Sequence, residues 1–251
     1  MSTGAIHDTG QLRSDAARIT QLIAGDLSAA IPGCPGWTLR DLIAHTGVIH
    51  RWVRATVETG ERPPLGGAGI REQDPPPEEA DALARWFGDG AIALANLLDA
   101  TDPDAATWTP FDVEAPTVAF WTRRQTHETS LHRWDAESAV TAPRPIAEAL
   151  AADGIDEYLG VILPMVMRRE DRSWPTGSVH LHCTDTAGEW TVEVLDGACV
   201  VERAHRKGDA AVRGSAQHLL LALWGRSVPD GSVEILGDES VGRAWISLGG
   251  N

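Results

Sequence analysis

Apolar residues recur at three- and four-residue steps through roughly the first two thirds of the chain, and at two-residue steps over a short stretch after that. Leu12, Ile19, Leu22, Ile23 and Leu27 predict a helix over residues 11–31, which Pro32 and Gly33 stop. Thr38 stands where an N-cap would. Leu39, Leu42, Ile43, Ile49, Val53 and Val57 then draw an apolar stripe, which predicts a second helix over residues 39–58. Residues 60–77 are rich in Gly and Pro and read as a long loop, either a cover over a site or a disordered segment. A third helix is expected over residues 78–99 and a fourth from 117 to about 138. Pro143 and Pro145 break the chain, and residues 146–167 are again helical in pattern, with Gly154, Gly160 and Pro164 as weak points.

The texture changes near Asp171. Residues 179–183, 190–195 and 198–203 alternate with a period of two and are separated by Thr186-Ala187-Gly188 and by Asp196-Gly197, a hairpin signal. A helix over 215–224 ended by Gly225, a short extended piece over 232–236 and a last helix over 238–247 complete the reading. The expected fold is therefore mainly α, a helical bundle over residues 1–170 followed by a small α+β domain over residues 171–251.

Composition narrows the function. A chain of 251 residues with 43% hydrophobic and 23% charged residues buries a core and is not disordered. The formal net charge of −15 would repel a phosphate backbone, so nucleic acid is not an expected partner. No run of about 18 apolar residues predicts a membrane span. The polar start, residues 1–11, does not read as a secretory signal, and the expected location is the cytoplasm. Cys34, Cys183 and Cys199 are odd in number and widely spaced, which argues against a disulfide framework. Cys34 follows a Pro-Gly turn without a local histidine, so it makes a poor nucleophile. Nothing in the pattern specifies an oligomeric state, while ten tryptophans against three phenylalanines and one tyrosine point to large buried or pocket-lining surfaces.

The chemistry concentrates in residues 121–135. On a helix, Trp121, Arg124, Gln125, Glu128, His132 and Asp135 share one face, and Thr122, Thr126, Ser130, Arg133 and Glu137 share another. A bundle helix needs only one solvated face, so the stripe carrying Glu128 and His132, flanked by large apolar residues, is expected to point inward. Burying a carboxylate and an imidazole costs several kcal/mol unless each is paired or bound to a metal. Glu128 and His132 stand at i and i+4, where two side chains can clasp one ion. His45, at the edge of the second helix's apolar stripe, is the natural third donor if those two helices pack side by side. Two imidazoles and a carboxylate suit Zn²⁺ and leave a coordination position open. The plainer alternative is a helical Glu-His pair worth about 0.2 to 0.5 kcal/mol. His50 and His127 point elsewhere on their helices. His180 and His182 share one face of a strand and are weaker ligand candidates. Asp135, one turn beyond His132, could orient that ligand or sit in a salt bridge. Arg124 could bind a substrate carboxylate, though pairing with Glu128 is the simpler reading.

The run Cys34-Pro-Gly-Trp-Thr-Leu-Arg-Asp-Leu-Ile-Ala-His45, followed by His50-Arg-Trp, resembles the N-terminal signature of the mycothiol-dependent maleylpyruvate isomerase family, within the wider DinB-like metal-binding four-helix bundles. Phe120-Trp-Thr-Arg-Arg-Gln-Thr-His-Glu-Thr-Ser-Leu-His-Arg-Trp-Asp-Ala-Glu137 is similar to its second signature. The stretch from Gly214 to Arg226, with Val233-Glu-Ile-Leu-Gly-Asp238, resembles the family's small second domain. The resemblance implies a divalent metal, usually zinc, on His45, Glu128 and His132. It also implies an arginine of the second domain near the metal, for which Arg226 is the catalytic candidate by motif position, an ordinary helix-ending arginine beside Gly225 being the equal alternative, and mycothiol as thiol cosubstrate.

A cation favours the thiolate form of a bound thiol. Added to a conjugated cis double bond, the thiolate leaves a single bond that can rotate, and elimination returns the trans isomer and the thiol. With an electrophile that has no route back, the same site performs S-transfer. One bundle and one site can serve several reactions. A metal-dependent hydrolase using an activated water, and a non-catalytic protein in which the metal only braces the bundle or which merely binds a small molecule, are therefore the rival readings.

Overall fold

The structure, a computed structural model, describes residues 8–249. The chain divides into two compact units, Met1–Arg144 and Pro145–Asn251.

In the first unit, α1 (Gly10–Leu22), α2 (Leu39–Thr59), α4 (Ala80–Ala100) and α5 (Val118–Val140) are joined by long connections, one of which holds the short α3 (Gly67–Gln73). Helix α2 begins where the sequence places it, because Thr38 and Asp41 form a reciprocal capping box, and it ends at Gly60, whose φ of 71° closes the last turn. Its apolar stripe is buried: Leu39, Leu42, Ile43 and Val53 have no exposed surface. Helices α1 and α2 each pack against both α4 and α5. Gly47 lets α2 and α4 approach closely, since a Cβ there would fall 2.2 Å from the Trp86 ring.

Helix α1 ends at Leu22, short of the expected residue 31. The Asp26 carboxylate accepts hydrogen bonds from both the backbone N–H and the hydroxyl of Ser28, a local turn that competes with the helix just after Gly25. Residues 30 and 38 then pair as a bridge that delivers the chain to the α2 cap. The expected loop over 60–77 contains α3 rather than being wholly irregular.

The expected boundary near residue 170 falls inside the second unit. Residues 146–167 form not one regular helix but α6 (Glu148–Glu157), a π-helical turn (Tyr158–Ile162) and α7 (Leu163–Arg169). Pro164 has no N–H to offer the carbonyl of Gly160, and the Leu163 N–H reaches back to Tyr158. Helix α6 packs against α8 (Ala216–Leu223), which is why this segment belongs with the C-terminal unit.

The sheet has the order β3-β2-β1-β4-β5, with β1 (Val179–Cys183), β2 (Glu189–Leu195), β3 (Ala198–Glu202), β4 (Ala210–Gly214) and β5 (Val233–Gly237). Only the β1–β4 pair is parallel. Strand β4 carries no alternation signal in the sequence, yet it is an inner strand. Helices α8 and α9 (Glu239–Ile246) pack on the sheet, which buries Val179, Leu181, Cys183 and Val212. No helix among the described residues is long and apolar enough to cross a membrane.

Candidate metal centre

Helices α2 and α5 pack side by side. That contact brings His45 of α2 to Glu128 and His132 of α5. One carboxylate oxygen, Glu128 Oε1, lies 3.6 Å from His45 Nε2 and 3.3 Å from His132 Nε2. The three side chains offer donor atoms that all lie within 4.8 Å of one another.

Each donor is held from behind. The other Glu128 oxygen accepts a hydrogen bond from Arg124, one turn earlier. His132 Nδ1 lies 3.2 Å from Asp135 Oδ2, a carboxylate with no solvent exposure that also accepts a 3.8 Å contact from the Cys34 thiol. The His45 ring meets Trp37 edge-on at 5.0 Å and His132 at 5.5 Å. Burial works against charge on Glu128, but Arg124 and His132 outweigh it and hold the carboxyl well below its ordinary range. Burial likewise opposes protonation of His132, while Glu128 and Asp135 raise it to about 9.

A set of two imidazoles and a carboxylate, sharing one focus and each fixed by an outer hydrogen bond or ring contact, fits a borderline divalent cation such as zinc. A cleft of about 640 Å³ opens beside it, lined by Trp37, Asp41, His45, Ile49, Gly67 and Arg71, among others. Helix α3, which the sequence pattern missed, thus supplies one wall and a cation, Arg71. A seven-residue helix in a Gly- and Pro-rich stretch has too little periodicity to announce itself.

The second polar stripe of α5 is buried as well. Ser130, Arg133 and Glu137 are at most 3% exposed, because Asp15 and Arg18 of α1 and Arg144 meet them. His50 is not among the converging donors: its Nε2 lies 3.0 Å from the Thr129 hydroxyl, and complete burial pushes it down to about 4. His127 is buried on α5. Arg226 belongs to the second unit, where it donates to the Trp224 carbonyl at 2.7 Å.

Fold and site together define a two-part α and β protein with a candidate metal centre on two packed helices of its first unit. Residues 10–137 match the family model for the mycothiol maleylpyruvate isomerase N-terminal domain, and residues 149–243 match that for the MDMPI C-terminal domain. The chain belongs to the mycothiol-dependent maleylpyruvate isomerase family. It is similar in fold to a crystal structure of the mycothiol-dependent maleylpyruvate isomerase, with 14% identity over 90% of both chains and a TM-score of 0.60. A histidine-to-alanine variant of that enzyme matches at 14% identity, 90% of both chains and a TM-score of 0.58. No curated protein sequence matches significantly.

Proposed function

We propose that this protein is a metal- and low-molecular-weight-thiol-dependent enzyme of the isomerase or S-transferase type, built on a DinB-like four-helix bundle. Its cosubstrate is mycothiol and its substrate a small electrophile with a conjugated double bond. The observation that carries the reading is the convergence of His45 Nε2 and His132 Nε2 on one oxygen of Glu128, beside a cleft, in a chain of this family. His45, Glu128 and His132 would hold the ion, zinc first. When bound, the ion supplies a position at which a thiol ionises to the nucleophilic thiolate.

The chain's own residues do the rest. Asp135 accepts from His132 Nδ1, which fixes the tautomer that leaves Nε2 free to ligate. Arg124 keeps Glu128 ionised and takes one of its oxygens, so that the other faces the two imidazoles. Trp37 sets the plane of the His45 ring and gives the cleft an apolar wall. Arg71, exposed on α3, offers the cleft a positive charge for a substrate carboxylate. Arg226 enters this reading through its motif position alone. The reduced thiol pool of the cytoplasm suits such a reaction, and the charge of −15 suits small-molecule partners rather than nucleic acid.

The test is turnover of a maleylpyruvate-type cis enoyl acid with and without mycothiol. Isomerisation that needs thiol without consuming it, or a stoichiometric thiol conjugate with another electrophile, supports the proposal. Water-dependent turnover with thiol omitted supports the hydrolase and defeats it. With a carboxylate substrate, Arg71→Ala is expected to raise KM roughly tenfold or more with little change in kcat, the signature of lost uniform binding. An unchanged KM removes Arg71 from the substrate site.

A further inference from the structure

The second unit holds another convergence of metal-type donors. His180 and His182 alternate along β1 and so project from one face of the sheet, the face opposite buried Val179, Leu181 and Cys183. Glu189 of β2 is the direct cross-strand partner of His182. A fourth residue, His205, arrives from the segment after β3. Glu189 sits between two imidazoles: one oxygen is 2.5 Å from His182 Nδ1 and the other 3.0 Å from His205 Nδ1. The ring centroid of His180 lies 4.9 Å from that of His205 and 5.8 Å from that of His182. All four residues offer ligand atoms within 4.8 Å of one another.

Hydrogen bonding alone accounts for His182, Glu189 and His205 but not for His180. That side chain is more than nine-tenths buried, yet its Nε2 atom has no hydrogen-bond partner. Leaving such an atom unsatisfied costs about 1 to 3 kcal/mol.

The segment that supplies His205 is pinned in place. The Thr191 hydroxyl, on the same face, lies 3.1 Å from the carbonyl of Ala204 and 3.4 Å from that of Arg206, bracketing His205. Gly208 lets the segment run against β1, since a Cβ there would fall 3.1 Å from the backbone nitrogen of His180. A cleft of about 300 Å³ reaches both His180 and His205.

We propose that His180, His182, Glu189 and His205 form a second divalent-metal site, which takes zinc or a similar borderline cation and clamps residues 203–208 onto the sheet. Tetrahedral zinc with bonds of about 2.0 to 2.1 Å sets its ligand atoms about 3.3 Å apart, so the four side chains close by small rotations from their present spacing. Four protein ligands leave no open position, which makes this a structural site rather than a second catalytic one.

The test is zinc titration of the full-length, tag-free chain in competition with a chromogenic chelator. The parent for this experiment is His45→Ala combined with His132→Ala, in which the first-unit cluster cannot bind. This parent is expected to take up one zinc and to rise in melting temperature with it. Adding His180→Ala, or His205→Ala on its exposed segment, should weaken that binding by at least about 100-fold, more than the loss of an outer-shell partner costs. Both variants should keep the far-ultraviolet spectrum of the metal-free parent, and His205→Ala alone decides the matter if His180→Ala does not fold. No zinc bound by the parent, or binding that survives both variants unchanged, overturns the proposal. Neither outcome bears on the α2–α5 cluster.

Discussion

Replacing His132 by alanine is expected to strip the α2–α5 centre of its metal and to lower thiol-dependent turnover by at least about a thousandfold. His132 occupies a focal place: one ring nitrogen faces Glu128 Oε1 at 3.3 Å and the other faces the fully buried Asp135 at 3.2 Å. Its removal takes away a donor and also the imidazole that faces the Asp135 carboxylate. Glu128→Gln is expected to have a comparable effect for a different reason. The amide keeps the shape but removes the charge that offsets a divalent cation, and it leaves Arg124 facing a neutral group. His45→Ala opens the site from the α2 side, where the ring is partly exposed. Elemental analysis of tag-free protein, set beside turnover, checks all three. Loss of activity with metal retained would make these residues something other than ligands. Metal lost from all three with turnover intact would detach the ion from the reaction.

Glu137→Gln is expected to destabilise the first unit by on the order of 3 kcal/mol at neutral pH, although Glu137 lies outside the cleft. Its carboxylate is wholly buried and accepts from Arg18 at 2.7 Å, from Arg133 at 3.0 Å, and from both the backbone and side chain of Arg144 at 2.8 and 3.0 Å. Arg133 is itself bound to Asp15, which also receives Ser130, so one α5 face is tied to α1 by a continuous ionic network. Burial works against the Glu137 charge, but the three arginines win and lower the group to about 2, against an ordinary value of 4.5. A depressed carboxyl contributes stability that is fully present above its unfolded value and is lost as pH falls from about 4.5 through about 2. The gap between native and Glu137→Gln proteins should therefore be full at pH 7 and close near pH 2. Thermal melts should show the variant roughly 6 to 12 °C lower at neutral pH. Equal melting temperatures at pH 7 would mean that the arginines hold that helix face together without the charge.

The sequence by itself determined what rests on local periodicity. It separated a helical first part from a strand-bearing last part, placed α2 at its Thr38 cap, and put Glu128 and His132 on one face of α5, because a 3.6-residue repeat and an N-cap are written in neighbouring residues. It nominated His45 only on the condition that two helices pack together, and that packing is a tertiary fact.

What tertiary structure decided are the placements that depend on residues far apart in the chain. Asp15 meets Ser130 across 115 positions, and nothing in the α5 pattern distinguishes a solvated polar stripe from one neutralised by another helix. The boundary at residue 144 follows from α6 packing against α8, not from the helical look of residues 146–167. Strand β4 holds an inner position through backbone pairing with β1 and β5, which its Ala-Ala-Val-Arg-Gly sequence does not encode as alternation. His205 joins His180 only because a turn of chain folds back over the sheet. Side-chain periodicity records which face a residue occupies, whereas the partner of that face is chosen by the burial and pairing of the whole fold.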